Sequence, residues 1–179
     1  WLFLGSECLL FGGLISTYML YRGRHPKGPG PDQVFSIPYT SISSFVLLMS
    51  SLTMVLAVAA AKERDIAKAK LWMTVTALLG ATFVGGQVFE FTEFYREGLQ
   101  LSTNMFGTTF FVLTGLHGAH VTFGIIWLLI LWGRSMQNRL PTERYEAVEI
   151  AGLYWHFVDI VWIFLFPLLY LVDRTHKFV

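Results

Sequence analysis

Two groups of ionisable side chains lie in apolar stretches of this 179-residue chain, where charged groups are costly. His117 and His120 are three residues apart and therefore share one face of a helix. Further along the chain, Glu149, His156 and Asp159 fall within roughly 80° of one another on a helical wheel. Such imidazoles and carboxylates can ligate a metal or a haem iron, or they can hydrogen-bond between helices.

Hydrogen bonding between helices is the favoured interpretation of these groups. The single cysteine, Cys8, excludes a multi-thiolate metal site and an internal disulfide within the chain. We therefore expect no metal site, and we expect His117 or His120 to hydrogen-bond with the cluster formed by Glu149, His156 and Asp159. A bis-histidine haem remains an alternative, with His156 as a third candidate ligand.

Three further polar residues lie in or beside apolar blocks. Glu7 either sits at the membrane interface or is a buried carboxyl that is protonated or hydrogen-bonded. Gln87 and Glu90 share a helix face and are candidates for an interface or for the polar seam between helices. Glu90 lies near the end of its block, so a hydrated or capping role fits it as well as a buried one.

The elements that position these groups are long apolar blocks, in a chain that is 54% hydrophobic with a mean hydropathy of +0.55. Each block is long enough to cross about 30 Å of hydrocarbon. The sequence thus predicts a single all-α domain over residues 1–179, a polytopic transmembrane bundle of five helices. The predicted helices cover residues 1–21, 42–61, 71–91, 106–132 and 143–172, with hydroxyls at residues 41–44 as candidate N-caps for the second helix.

Charge and motifs exclude several functions. The net charge is +1 and no basic tract with interleaved aromatics occurs, so nucleic acid is not an expected partner. No motif for phosphate binding, nucleophilic catalysis or hydride transfer is present. Lys and Arg are slightly more frequent on the side that holds the N-terminus, which favours a cytoplasmic N-terminus and an external C-terminus.

Five segments carry a family resemblance, and one of them is residues 106–112, which read FGTTFFV. Residues 154–164 read YWHFVDIVWIF with Glu149 before them, and residues 114–124 read TGLHGAHVTFG. Residues 86–91 read GQVFEF, and the first helix begins WLFLGSECLLF with Glu7. Together they closely resemble subunit III of haem–copper cytochrome c oxidases, in its short five-helix bacterial form.

This resemblance implies a subunit without cofactors of its own, with haem and copper held by partner subunits. Its direct partner would be oxidase subunit I, alongside subunit II and other respiratory subunits, in a bacterial plasma membrane. Its implied role is to hold phospholipid near the oxygen entry route and to support proton uptake and durability of a proton-pumping oxidase. Glu7 matches the family's buried carboxylate, while the polar residues of helices four and five match positions with a packing role.

Two relatives within the same family give alternative functions. Subunit III of a quinol oxidase shares the five-helix form and the motifs. A related accessory protein associated with nitric oxide reductase is the second alternative. An independent bis-histidine haem membrane protein is the alternative from another class.

Overall fold

Helix is the only regular structure in the part of the chain that the computed structural model describes, which is residues 1–21, 37–96, 105–136 and 145–171. A bilayer requires each backbone polar group to be bonded within its own segment, and helices meet that requirement. All five helices are long and apolar enough to span a membrane, which confirms the predicted all-α class and makes this a multi-pass membrane protein. They are α1 (Leu2–Tyr21), α2 (Ile37–Lys62), α3 (Ile66–Arg96), α4 (Met105–Met136) and α5 (Tyr145–Phe166).

Several helices extend beyond their predicted ends. The α3 helix begins five residues before the predicted residue 71 and ends five residues after residue 91, because the Lys, Glu and Ala residues that flank the apolar block are good helix formers. The α2 helix begins at Ile37, so the prediction of N-caps at residues 41–44 was wrong. Pro38 fits this earlier start, since the first turn tolerates its missing N–H.

The far end of α5 departs from α-helical geometry at Pro167. A π-helical turn covers Pro167–Leu171 and follows α5 directly. Proline cannot donate the i→i−4 hydrogen bond, so a local change in the helix is the expected response. The predicted start of this helix at residue 143 and its end at residue 172 lie outside the described residues.

The link between α2 and α3 is only three residues long. Arg64 adopts a positive φ of 61°, and the Asp65 side chain accepts a hydrogen bond from the backbone N–H of Lys68 at 3.1 Å. Asp65 is therefore the N-cap of α3. The two helices pack along one another as antiparallel neighbours.

The core forms where α5 packs against α2 and α4. The indole of Trp155 from α5 lies against Gly80 of α3 and Gly124 of α4. The α1 helix lies at one edge of the bundle, in contact with α4 and α5, and buries only Phe11 and Tyr18. Most of its apolar surface is left for lipid or another protein chain.

Candidate functional site

A hydrogen-bonded acid–imidazole pair connects α1 to α4. Nε2 of His120 lies 3.0 Å from Oε2 of Glu7, and the two side chains are only 15% and 13% exposed. The ring of Phe11 packs edge-on against the imidazole, and Tyr154 donates a hydrogen bond to the backbone carbonyl of His120. Glu7 is therefore largely buried and hydrogen-bonded. This agrees with the interpretation of Glu7 as a buried carboxyl and not with a position at the membrane interface.

The second ring nitrogen of His120 determines how many protons the Glu7–His120 pair holds. Nδ1 of His120 lies 2.8 Å from the carbonyl oxygen of Leu116. A carbonyl only accepts, so Nδ1 carries a proton and donates it. One further proton then lies between Nε2 and the Glu7 carboxyl, either as a neutral acid and imidazole or as a carboxylate and imidazolium. In both arrangements the pair has no net charge.

His117 is held by packing and by one backbone carbonyl. Its Nε2 donates to the carbonyl oxygen of Val158 at 3.2 Å, and its ring stacks on Trp162 with centroids 4.7 Å apart. The edge of the ring meets Phe83, and the side chain is fully buried. Nε2 of His117 is thus engaged, whereas its Nδ1 is buried without a hydrogen-bond partner among the described residues. An axial haem ligand needs a ring nitrogen that faces a porphyrin, and this ring packs against Trp162 and Phe83 instead.

Glu149, His156 and Asp159 form a polar stripe along α5. The predicted hydrogen bonds between this stripe and the histidines of α4 were wrong. The stripe faces α2 instead, as its contacts show. Glu149 forms an ion pair with Lys62 at 2.8 Å, and Nδ1 of His156 lies 2.6 Å from Oγ of Ser51. The sequence shows that these residues share one face of α5, but which helix that face meets depends on how the whole bundle packs.

Asp159 is the member of the stripe that lacks a hydrogen bond. The residue is 3% exposed, and neither of its carboxyl oxygens has a hydrogen-bond partner among the described residues. The Ser51 hydroxyl lies near the Asp159 carboxyl, but the contact does not have the geometry of a hydrogen bond. A buried polar group of this kind is exceptional and calls for a physical explanation.

Gln87 and Glu90 are both buried in the interior of the bundle. The Gln87 amide donates to the carbonyl of Thr114 at 2.7 Å, which ties α3 to α4. Glu90 accepts a hydrogen bond from the hydroxyl of Thr40 on α2. The buried alternative for Glu90 therefore holds, and the hydrated one does not.

Serines on α2 are polar partners that the sequence reasoning missed. Ser50 accepts a hydrogen bond from the Trp155 indole at 3.0 Å, and Ser44 accepts one from the Trp162 indole at 2.8 Å. The seven-residue separation of Ser44 and Ser51 places them on one face of α2, toward α5. Ser50, which accepts from Trp155, precedes Ser51 in the chain, so this group of serines and the indoles of Trp155 and Trp162 were the available signal.

A groove of about 650 Å³ opens between α1, α2 and α5 at the end where α2 finishes and α5 begins. Its walls are mainly apolar, but Lys62, Glu146, Glu149 and His156 also line it. His156 thus connects the groove to Ser51 and the interior. Within the described residues, no group of three His, Cys, Asp or Glu side chains is placed to hold a metal ion.

Comparison with known proteins shows which family the chain belongs to. The family model described as cytochrome c oxidase subunit III matches residues 1–173. The chain belongs to the cytochrome c oxidase subunit III family. The family resemblance read from the sequence is thereby confirmed, and the match covers almost the entire chain.

Individual relatives of this subunit III carry two kinds of name. Cytochrome c oxidase subunit 3 of Bacillus sp. (strain PS3) is 40% identical over 175 residues, covering 98% of this chain and 84% of the relative. Quinol oxidase subunit 3 of Bacillus subtilis (strain 168) is 40% identical over 172 residues, covering 96% and 84%. The cytochrome bo(3) ubiquinol oxidase subunit 3 of Pseudomonas aeruginosa is 36% identical over 172 residues, covering 96% and 82%. What they share is the role of an oxidase subunit III.

Proposed function

We propose that this chain is a core, non-redox subunit III of an aerobic respiratory haem–copper oxidase and packs directly on subunit I. Haem and copper are held by subunits I and II in this proposal. The ring nitrogens support it, because both nitrogens of His120 and Nε2 of His117 are already engaged. The complex as a whole is a proton-pumping cytochrome c oxidase in a bacterial plasma membrane, with the N-terminus of this chain cytoplasmic and its C-terminus external.

The Glu7–His120 pair is the observation that carries the supporting role. It is buried at the contact of the edge helix α1 with α4, and one proton lies between two groups that can each hold it. Such a pair can move its proton between Glu7 and His120 over a short distance, and the pair stays neutral throughout that transfer. This is the chemistry expected of a residue that assists proton uptake by an adjoining catalytic subunit.

The exposed face of α1 supports its contact with subunit I and with lipid. Leu2, Leu9 and Leu20 are between 61% and 95% exposed, although the helix is apolar enough to span a membrane. In a membrane that surface is covered by acyl chains or by a neighbouring transmembrane helix. Subunit I covers one part of it in our proposal, and retained phospholipid covers the rest beside the route by which oxygen enters.

The proposal is tested with Glu7→Gln in the assembled oxidase. Ser6→Ala is the matched control, since Ser6 is the neighbouring residue on α1 and bonds only the carbonyl of Phe3 in its own helix. We expect Glu7→Gln to leave the initial electron-transfer rate nearly intact. Its effect should appear as faster inactivation during turnover, a lower proton-pumping yield or reduced lipid retention, and Ser6→Ala should show none of these.

Two results would contradict the proposal. Loss of activity at the first turnover, in a correctly assembled and fully haem-loaded variant, would mean that Glu7 serves the chemistry directly. Unchanged endurance, pumping and lipid content would mean that the Glu7–His120 pair has no supporting role.

A quinol oxidase is the second candidate because of the relatives that bear that name at the same identity. The two candidates differ in the partner subunits and not in this chain. Copurification of a dicopper subunit with cytochrome c oxidation supports the first candidate. Quinol oxidation by a complex without dicopper supports the second.

A further inference from the structure

Asp159 is a buried ionisable group that the proposed supporting role does not use. Both of its oxygens are buried without a hydrogen bond among the described residues, and the side chain lies between α5 and α2. A permanently charged carboxylate in such a place is strongly disfavoured. The residue must therefore hold a proton or acquire one by a route that reaches it.

The groups around Asp159 provide such a route. The hydroxyl of Ser51 lies near the Asp159 carboxyl, and its Oγ lies 2.6 Å from Nδ1 of His156. His156 in turn lines the groove of about 650 Å³. Its Nδ1 is engaged with Ser51, which leaves Nε2 as the ring nitrogen available to a proton donor in the groove.

Other titratable groups near α5 are already paired or face elsewhere. On α2, Lys62 forms the ion pair with Glu149 at the mouth of the groove. On α4, His117 bonds the carbonyl of Val158 and stacks on Trp162, while His120 bonds Glu7 of α1. His156 is therefore the titratable side chain that links Asp159 to the groove in the described part of the chain.

The depth of Asp159 makes this route significant. Ten residues separate Glu149 at the mouth from Asp159, which is about 15 Å along a helix. That distance is half of a hydrocarbon core of about 30 Å. The route leads from one membrane surface to the middle of the bilayer.

We infer that Asp159 is a proton-binding site loaded from the groove through His156 and Ser51. A proton that arrives at Nε2 of His156 lets Nδ1–H pass to Oγ of Ser51, while the hydroxyl proton of Ser51 passes to the Asp159 carboxylate. The imidazole and the hydroxyl each gain one proton and lose one. The net change is one proton added at Asp159, and release runs in the reverse order.

Infrared difference spectroscopy on the assembled complex tests this site when H₂O is replaced by D₂O. The wild-type complex should show a protonated-carboxyl band that shifts in D₂O and is absent from Asp159→Asn. Ser51→Ala should retain the band but slow its shift by roughly tenfold or more, because the relay hydroxyl is gone. Ser43→Ala is the matched control on α2, since its hydroxyl bonds the carbonyl of Tyr39 in the same helix, and it should leave the shift rate unchanged.

Each outcome decides for or against the site. The inference fails if no carboxyl band depends on Asp159, or if Ser51→Ala exchanges as fast as the wild type. Where Asp159→Asn does not assemble, Asp159→Glu serves for the assignment, because it retains a carboxyl and should shift the band. The measurement reads the proton on Asp159 itself, so its result is independent of the electron donor and of the effect of Glu7.

Discussion

The indole of Trp155 occupies the space that a side chain at Gly80 would need. An ideal Cβ at Gly80 would lie 2.5 Å from Cη2 of Trp155, and one at Gly124 would lie 3.0 Å from the same indole. Two glycines on different helices thus form the sides of one slot. The slot lets α5 approach α3 and α4 closely at the point where Trp155 also donates to Ser50.

Gly80→Ala should therefore destabilise the subunit, by about 1–3 kcal/mol, because the added methyl overlaps a fully buried ring. Gly85→Ala is the matched control on the same helix, where a new Cβ meets nothing within 4 Å. It should be neutral or slightly stabilising, since alanine favours helix. Thermal unfolding in detergent measures both, and equal midpoints would contradict the slot.

Ser44→Ala should also destabilise the subunit, by about 1–3 kcal/mol, because it leaves the buried N–H of Trp162 without its acceptor. Ser43→Ala, one residue away, removes only a bond to its own helix and should cost much less. The same unfolding measurement compares the two. A similar effect of both changes would show that the indole hydrogen bond contributes little.

Glu7 should react with a hydrophobic carbodiimide in the intact membrane. The reagent needs a protonated carboxyl in apolar surroundings, and Glu7 shares a proton with His120 beside Phe11. Glu149 is half-exposed and paired with Lys62, so it should stay unlabelled. Peptide mapping by mass spectrometry locates the label, and modification of Glu149 in preference to Glu7 would count against the shared proton.

The separated subunit should contain neither haem nor metal. The motivation is the set of partners that His117, His120 and His156 already have in the bundle. Metal analysis and an absorbance spectrum in the Soret region provide the check. Haem at one equivalent per chain would overturn the assignment of cofactors to the partner subunits.

Asp65 should make the folded state sensitive to acid. The backbone N–H of Lys68 holds the pKa of the Asp65 carboxyl below its usual 3.8, and the Lys68 ammonium lowers it further. Because the folded-state pKa is lower than the unfolded one, this stabilisation is present above pH 3.8 and is lost as the pH falls through the folded-state pKa. Asp65→Asn keeps a capping oxygen but cannot titrate, so its unfolding midpoint should depend less on pH than that of the wild type as the pH falls below 3.8. If the unfolding midpoints of the two proteins changed with pH in the same way, Asp65 would make no such contribution to acid sensitivity.

The sequence was sufficient for the five helices because each apolar block exceeds the thickness of a bilayer. It also identified Glu7 as a buried carboxyl, although the partner of Glu7 was not foreseen. His120 lies more than a hundred residues away, and periodicity within one helix does not say which neighbour a face meets. The same limit explains the wrong pairing of the α5 stripe, whose contacts depend on α2. Ser44 was assigned to a helix start because serine favours N-caps, whereas in a membrane bundle it also serves as an acceptor for buried indoles.

The three-residue link between α2 and α3 has a consequence for how the chain enters the membrane. Lys62, Arg64 and Lys68 all lie in or beside this link, where the backbone turns back at Arg64. Two helices joined so tightly can insert as a closed hairpin whose apolar flanks already cover one another. Its charged turn must then either cross the bilayer or stay on the side from which it came. Crossing is unfavourable because each Lys or Arg costs roughly 2.5–3.5 kcal/mol at the centre of the bilayer. We therefore expect this turn to remain on the side of the membrane from which the chain is inserted.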